Sequence, residues 1–182
     1  MNNTGIERYM ALFRGNPRSY GQWDPKESDP NKNSITKKTP YTDVIFKRHL
    51  SGITGLGLVP IMDDATCYWG AIDIDNHGSK VDLDIKAIEA KIIKLGLPLI
   101  PCRSKSGGAH LYLFGSGPLR ATQVNSMLKK WAKDLGILLG KDSEAGDIDC
   151  IFPKQIKLAY NDDGGRALGN WINLPYFNAE HT

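Results

Sequence analysis

The stretch AIDIDNHG, residues 71–78, places two carboxylates two residues apart at the end of an apolar run. Successive side chains of a β-strand point to opposite faces, so Asp73 and Asp75 would project from the same face of a strand that ends here. Two such anions repel each other unless a cation lies between them or one carboxylate takes up a proton. The pattern is compatible with a metal site, with shared-proton chemistry, or with solvated acids in a turn.

The sequence around this stretch predicts an α+β domain. Apolar residues at helical spacing predict helices over residues 82–96 and 122–136. The order strand, helix, strand hairpin, helix, strand is typical of ferredoxin-like and RNA-recognition-motif-like sheets, which carry their helices on one face. The predicted strands cover residues 55–62, 67–75, 99–104, 109–114, 147–152 and 170–176.

The N-terminal part is expected to be less regular. The run IERYMALF (6–13) predicts a short helix, and Thr42 can cap a second helix over residues 43–52. Residues 15–43 are rich in Pro, Asn, Asp and Lys, so we expect an extended, partly mobile loop. Within it, KNSITKK (32–38) is either a solvated loop or a contact for a nucleic-acid template.

Composition excludes several classes of protein. The chain has 182 residues, 41% of them hydrophobic and 24% charged, with a net charge of +3, so it fits one globular domain. Its three cysteines are far apart in the sequence, which predicts neither a disulfide framework nor a structural zinc site. It has no signal-like segment and no apolar run of about 20 residues. We therefore expect a cytoplasmic protein with no membrane association.

Further polar residues near predicted strand ends would join the acid pair if these strands share a sheet. Asp149 lies in the predicted strand IDCIFPK, and three carboxylates suit hard ions such as Mg²⁺ or Mn²⁺. The stretch RSKSGGAH, residues 103–110, offers Arg103, Lys105, backbone N–H groups and His110, which suit a nucleotide polyphosphate. Together these features indicate nucleotidyl transfer.

Each signal also has a purely structural interpretation. An Asp-x-Asp at a strand end is often a solvated turn, KSGG is compatible with a plain hairpin turn, and a lone histidine is often structural. His77 is more typical of a loop position than of a metal ligand. Among the tryptophans, Trp131 has the spacing of a core residue, whereas Trp171 is the candidate for exposure and base stacking.

The ordered set of motifs resembles the archaeo-eukaryotic primase superfamily over about residues 12–177. The resemblance is nearest to primase-polymerase domains of mobile elements, in phage and plasmid replication proteins, CRISPR-associated primase-polymerases and TOTE conflict systems. It implies a catalytic core on an RNA-recognition-motif-like sheet, with helices on one face, beside an N-terminal α/β module. The motifs are LFRG, TDVIFKRHLSG, GLGLVPIMDD, YWGAIDIDNHG, PCRSKSGGAHLYLF, IDCIFPKQ and LGNWINLPYF.

The resemblance also implies a role for each motif residue. Asp73, Asp75 and Asp149 would hold two divalent cations, Mg²⁺ or Mn²⁺, with Asp147 as a competitor for the third acid. His110 would contact the triphosphate of the incoming nucleotide. Position 108 is Ser in many relatives, so glycine there would remove a hydroxyl contact. The other expected nucleotide-binding residues are Arg103, Lys105, Ser106, Gly107, Gly108, Lys154, Asn170 and Asn173.

The implied function is that of a template-dependent nucleotidyltransferase, a DNA primase and/or DNA polymerase of a mobile-element replication system. Its partners would be single-stranded or primed DNA, NTP or dNTP, and a helicase, fused or separate. Residues 1–182 would form a single catalytic domain, the N-terminal part of a longer primase-helicase. The alternatives are a non-catalytic binding module for single-stranded DNA or nucleotides and a metal-dependent nuclease. A nuclease has no triphosphate to hold, so RSKSGGAH disfavours that alternative.

Overall fold

The computed structural model describes residues 3–29, 32–75, 83–105, 107–137, 151–162 and 164–179. In these residues the chain forms helices and two four-stranded antiparallel sheets, and a short 3₁₀ helix covers Phe177–Ala179. The helices and strands are α1 (Asn3–Leu12), β1 (Tyr20–Trp23), β2 (Ser34–Lys37), α2 (Asp43–Leu50), β3 (Gly55–Leu58), β4 (Thr66–Ile74), α3 (Ile85–Lys94), β5 (Ile100–Arg103), β6 (Ala109–Arg120), α4 (Ala121–Asp134), β7 (Ile151–Phe152) and β8 (Ile172–Asn173).

The C-terminal sheet has the spatial order β5-β6-β4-β7. Along the chain its elements run β4, α3, β5, β6, α4, β7, so the two middle strands of the sheet are the first and third in sequence. This is the connectivity of a ferredoxin-like or RNA-recognition-motif-like sheet. The predicted fold class is confirmed: an α+β protein with an RNA-recognition-motif-like sheet and an N-terminal α/β module.

One face of the C-terminal sheet packs against α3 and α4, and we call it the helix face. Ile72 of β4 and Leu111 of β6 lie in one buried cluster with Ile92 of α3 and Leu128 of α4. Because side chains alternate along a strand, the neighbouring residues lie on the opposite face. That opposite face carries Trp69, Ala71 and Asp73 of β4 with His110 and Tyr112 of β6. We call it the inter-sheet face.

The N-terminal sheet, in the order β2-β1-β3-β8, packs with α1 and α2 against the inter-sheet face. Leu56 and Leu58 of β3 share a second buried cluster with residues of α1, α2 and the inter-sheet face. Phe13, just after α1, contacts Trp69 with ring centres 5.6 Å apart and Tyr112 at 5.2 Å, both edge-on. Such edge-to-face pairs add to the free energy gained from burial.

The prediction of an extended loop over residues 15–43 is wrong, because β1 and β2 form an antiparallel hairpin inside it. Two features hid the hairpin from a reading of the sequence. β2 is an edge strand whose four side chains are exposed or half-buried, so it shows no apolar alternation. β1 owes its place to pairing with β3, which is distant in sequence. Pairing of this kind leaves no local signal.

Strand lengths also differ from the predictions at several ends. The strand predicted over 55–62 ends at Leu58, two residues before Pro60, which cannot donate to a ladder hydrogen bond. β6 continues past the predicted end at residue 114 to Arg120. β8 covers two of the residues predicted over 170–176. None of the helices in the described ranges is long and apolar enough to cross a membrane.

His49 of α2 is hydrogen-bonded to β3 and to the segment that follows β8. The Leu56 backbone N–H donates to its Nδ1 at 3.1 Å. Since Nδ1 accepts, Nε2 carries the hydrogen and donates to the Pro175 carbonyl at 2.7 Å. Burial lowers the pKa of His49, although the hydrogen bond to Pro175 opposes this shift. Protonation would leave the Leu56 N–H without an acceptor.

We expect His49 to make stability depend on pH. The unfolded chain binds a proton at about pH 6.5, whereas the folded chain, with its lowered pKa, does so only at lower pH. The contribution of His49 to the free energy of unfolding should therefore be fully present above about pH 6.5. Below that pH it should fall by up to about 1.4 kcal/mol per pH unit. Urea unfolding of the wild type and of His49→Asn across this range measures the effect. Equal pH slopes for the two proteins would contradict this role of His49.

Candidate functional site

Asp73 and His110 face each other across the β4–β6 ladder. They are direct partners in the strand register, so their side chains share the inter-sheet face. His110 Nε2 lies 3.2 Å from Asp73 Oδ1, and the two side chains are 6% and 21% exposed. The imidazole is thus buried while the carboxylate reaches solvent. The structure places these two predicted site residues side by side.

A hydrogen-bond chain continues from His110 to the N-terminal sheet. The Tyr112 hydroxyl lies 3.0 Å from His110 Nδ1. It donates to the backbone carbonyl of Asn173 in β8, also at 3.0 Å. Tyr112 is fully buried, and burial raises the pKa of its hydroxyl well above the usual value, so the hydroxyl keeps its hydrogen. Asn173 therefore takes part through its backbone, and Tyr112 is a site residue that the sequence motifs did not indicate.

Of the remaining predicted acids, the structure describes only Asp75. Asp75 directly follows β4 and is exposed. Asp149, its competitor Asp147 and the predicted nucleotide-binding Ser106 lie outside the described residues, as does His77. β7 begins at Ile151, two residues after Asp149 in the sequence, and pairs with β4. The strand that carries Asp73 and the strand that follows Asp149 are therefore neighbours.

The turn between β5 and β6 is held tightly against the end of β4. The Ser104 N–H donates to the Gly108 carbonyl at 3.0 Å, and Gly107 has a φ of 83°, which favours glycine. A Cβ on Gly108 would lie 2.0 Å from the Ile74 carbonyl oxygen. Any side chain at position 108 would therefore collide with the backbone of β4. Glycine at this position does more than remove a hydroxyl, because it permits the close approach of the turn.

Lys105 in this turn lies over an aromatic ring. Its Nζ is 4.5 Å from the centre of the Trp23 ring, a cation–π arrangement, and burial lowers the pKa of Lys105. Arg103 pairs with Ala109, so the register assigns it to the helix face, opposite to His110. The contact between Trp23 and Lys105 was not predicted, because the segment that holds Trp23 was interpreted as a loop. These residues line a cavity of about 230 Å³ together with Ser104, Leu174, Pro175, Tyr176 and Phe177.

The segments flanking β7 and β8 are linked by Gln155. The Asn170 side-chain oxygen accepts from Gln155 Nε2, and the Asn170 N–H donates to Gln155 Oε1 at 3.2 Å. Lys154 lies with its Nζ 5.1 Å from the centre of the Phe152 ring. Asn170 thus orients the chain before β8, and Gln155 is its partner. Gln155 is the last residue of the motif IDCIFPKQ, but no role was predicted for it.

Trp171 lies across the N-terminal sheet and packs against Gly21 and Gly57. An added Cβ on Gly21 or Gly57 would lie 2.1 Å and 2.2 Å from atoms of the Trp171 ring. The indole N–H donates to Thr36 Oγ1 at 3.0 Å. One face of the ring is therefore used for packing. Thr36 belongs to the segment 32–38, so part of that segment is a strand with a structural contact.

The donor set at the acid pair suits a hard divalent cation. Asp73 and Asp75 offer carboxylate oxygens, which Mg²⁺ and Mn²⁺ prefer. Within the described ranges no three His, Cys, Asp or Glu residues are grouped closely enough to hold a metal ion. The third predicted ligand, Asp149, lies outside those ranges.

Comparison with known proteins agrees with the resemblance seen in the motifs. The family model of the archaeo-eukaryotic primase domain of TOTE conflict systems matches residues 2–182. Among solved structures, the archaeo-eukaryotic primase domain of the cyanophage S-2L primase-polymerase is similar, with a TM-score of 0.49 and 15% identity. That similarity covers 96% of this chain and 91% of that chain. No curated protein matches the chain. The predicted superfamily is confirmed.

We expect Gly108→Ser to destabilise the protein. Restoring a hydroxyl there would force the Cβ against the Ile74 carbonyl oxygen, so the free energy of unfolding should fall by about 1–3 kcal/mol. Gly117→Ser in β6 is the matched control, since a Cβ there meets nothing within 4 Å. It should change stability by no more than about 0.5 kcal/mol. Urea unfolding checks both, and a Gly108→Ser protein as stable as the wild type would contradict the requirement for glycine.

Proposed function

The chain belongs to the archaeo-eukaryotic primase domain family of TOTE conflict systems, and from this we propose that it is a template-dependent, divalent-metal-dependent nucleotidyltransferase. The reaction class is that of a DNA primase and/or DNA polymerase. The observation that carries the proposal is the Asp73–His110 pair. It joins the residues of two family motifs at 3.2 Å on the inter-sheet face, opposite to α3 and α4.

In the proposed site, Asp73, Asp75 and Asp149 hold two divalent cations. Their oxygen donors suit Mg²⁺ or Mn²⁺, and β7, which follows Asp149 in sequence, pairs with the strand of Asp73. When bound, such ions lower the pKa of the primer 3′-hydroxyl and neutralise charge on the departing pyrophosphate. The carboxylates themselves fix where the reacting phosphate lies relative to the primer end.

His110 contacts the triphosphate of the incoming nucleotide through Nε2, the ring nitrogen that faces Asp73. Lys105 supplies positive charge from the adjoining cavity, where its ammonium is partly withdrawn from water over Trp23. Attraction between charges is stronger where water is excluded. The other nucleotide-binding residues of the proposal are Arg103, Ser106, Gly107, Gly108, Lys154, Asn170 and Asn173.

The proposed substrates are NTP or dNTP and a single-stranded or primed DNA template, within the replication of a mobile element. We further propose that residues 1–182 act as one catalytic domain and that a helicase, fused or separate, delivers the template strand. Contacts to the phosphate backbone would make template binding weaken steeply with salt.

Synthesis on defined templates tests the proposal. The chain is incubated with Mn²⁺ or Mg²⁺ and labelled nucleotides on a bare single strand and on a primed one, and products are resolved on a gel. Asp73→Asn and Asp149→Asn should each lower the rate by about a hundredfold or more, because each loses an anionic ligand of the cations that would stabilise the transition state. The control is Asp134→Asn, which removes a carboxylate on α4 that is paired with Lys130 on the helix surface. It should leave the rate unchanged.

The outcomes separate the candidate functions. Extension of the primed template alone indicates a polymerase core, and products on the bare strand indicate a primase. Synthesis that persists in both site variants contradicts the proposed role of the acids. Nucleotide binding without synthesis by the wild type would favour the non-catalytic module, and metal-dependent shortening of the labelled strand would favour a nuclease.

A further inference from the structure

We propose that Tyr112 is a positioning residue that accepts a hydrogen bond from His110 Nδ1–H and so directs Nε2 into the nucleotide site. The inference rests on the proposed function for the role of His110 in nucleotide binding. The hydrogen-bond assignment does not depend on that function.

The first step concerns the single hydrogen of the Tyr112 hydroxyl. The hydroxyl lies 3.0 Å from the Asn173 carbonyl oxygen, and a carbonyl can only accept a hydrogen bond. The hydroxyl hydrogen is therefore committed to Asn173. The hydroxyl oxygen of Tyr112 can therefore offer only a lone pair to its second neighbour.

The second step assigns the imidazole hydrogen. The other neighbour is His110 Nδ1, also at 3.0 Å from the hydroxyl oxygen. Since that oxygen has only a lone pair to offer, Nδ1 must carry the hydrogen and donate it. Nε2 is then the ring nitrogen presented to Asp73, whose carboxylate can only accept, so this contact is a hydrogen bond where Nε2 also carries a hydrogen. In a histidine the bond made by one ring nitrogen decides the chemistry of the other.

The third step is that Tyr112 is well placed to hold the ring still. Its side chain is fully buried and lies edge-on to Phe13 at 5.2 Å and stacked with Phe114 at 5.9 Å. Its acceptor, Asn173, is held in place because β8 pairs with β3 of the N-terminal sheet. The orientation of His110 therefore depends on how the N-terminal sheet is docked against the C-terminal sheet.

Tyr9 provides a matched control for the loss of a buried hydroxyl. It is buried, and its hydroxyl donates to the Pro175 carbonyl at 2.5 Å, in the same C-terminal segment that receives the Tyr112 bond. It belongs to the same buried cluster as Tyr112. Tyr9→Phe thus removes a comparable tyrosine-to-carbonyl bond without touching the bond to His110.

The test is imidazole ¹H–¹⁵N NMR on the full chain labelled with [¹⁵N]histidine. The His110 signals are assigned by their loss in His110→Gln. We expect a solvent-protected Nδ1–H signal in the wild type and in Tyr9→Phe, and its loss in Tyr112→Phe. Absence of the signal from the wild type, its retention in Tyr112→Phe, or its loss in Tyr9→Phe would overturn the assignment. If Tyr112→Phe fails to fold, as judged by backbone spectra, the wild-type signal decides.

Steady-state kinetics of nucleotide incorporation test whether this positioning affects synthesis. Tyr112→Phe should weaken synthesis by roughly 10–100-fold, the usual cost of removing a partner that orients a functional histidine. The loss should appear in KM for the nucleotide, and Tyr9→Phe should cost much less. Equal losses in the two variants would overturn the positioning role. If the wild type makes no product, the proposed function fails, whereas the proton signal still tests the assignment.

Discussion

The antiparallel register between β4 and β6 is the constraint on which the site depends. It places Asp73 opposite His110, and one residue further it brings Gly108 against the carbonyl of Ile74. A slip of one residue would move every side chain of β4 to the other face of the sheet. Asp73 would then point into the core against α3 and α4. The apolar alternation of β4 and β6 therefore fixes where the polar residues meet.

A second dependence connects the two sheets. The inter-sheet face of the C-terminal sheet is covered near Trp69 and Tyr112 by the core that it shares with α1, α2 and β3. It reaches solvent at Asp73, next to the end of β4. The N-terminal module thus covers the Trp69–Tyr112 part of the face, whereas the Asp73 carboxylate is 21% exposed. Through the bond from Tyr112 to Asn173 it also touches the site itself.

Much of this arrangement could be predicted from the sequence, because it rests on local patterns. Apolar spacing gave the order of strands and helices in the C-terminal sheet, and the short motifs identified Asp73 and His110. The features that the sequence did not predict depend on contacts between segments that are distant along the chain. β1 and β2 have four residues each, and the side chains of β2 are exposed or half-buried, so their pairing was not visible. Tyr112 and Gln155 act through partners 61 and 15 residues away, and no spacing rule reports such bonds.

The proposed function requires that the nucleotide and the metal bind at the Asp73–His110 pair. The direct measurement is a crystal structure of the chain with Mn²⁺ and a non-hydrolysable nucleoside triphosphate, using the anomalous signal of manganese. We expect manganese bound by Asp73, Asp75 and Asp149, with the triphosphate against His110 Nε2. Manganese and nucleotide bound elsewhere, with the Asp73–His110 pair unchanged, would contradict it.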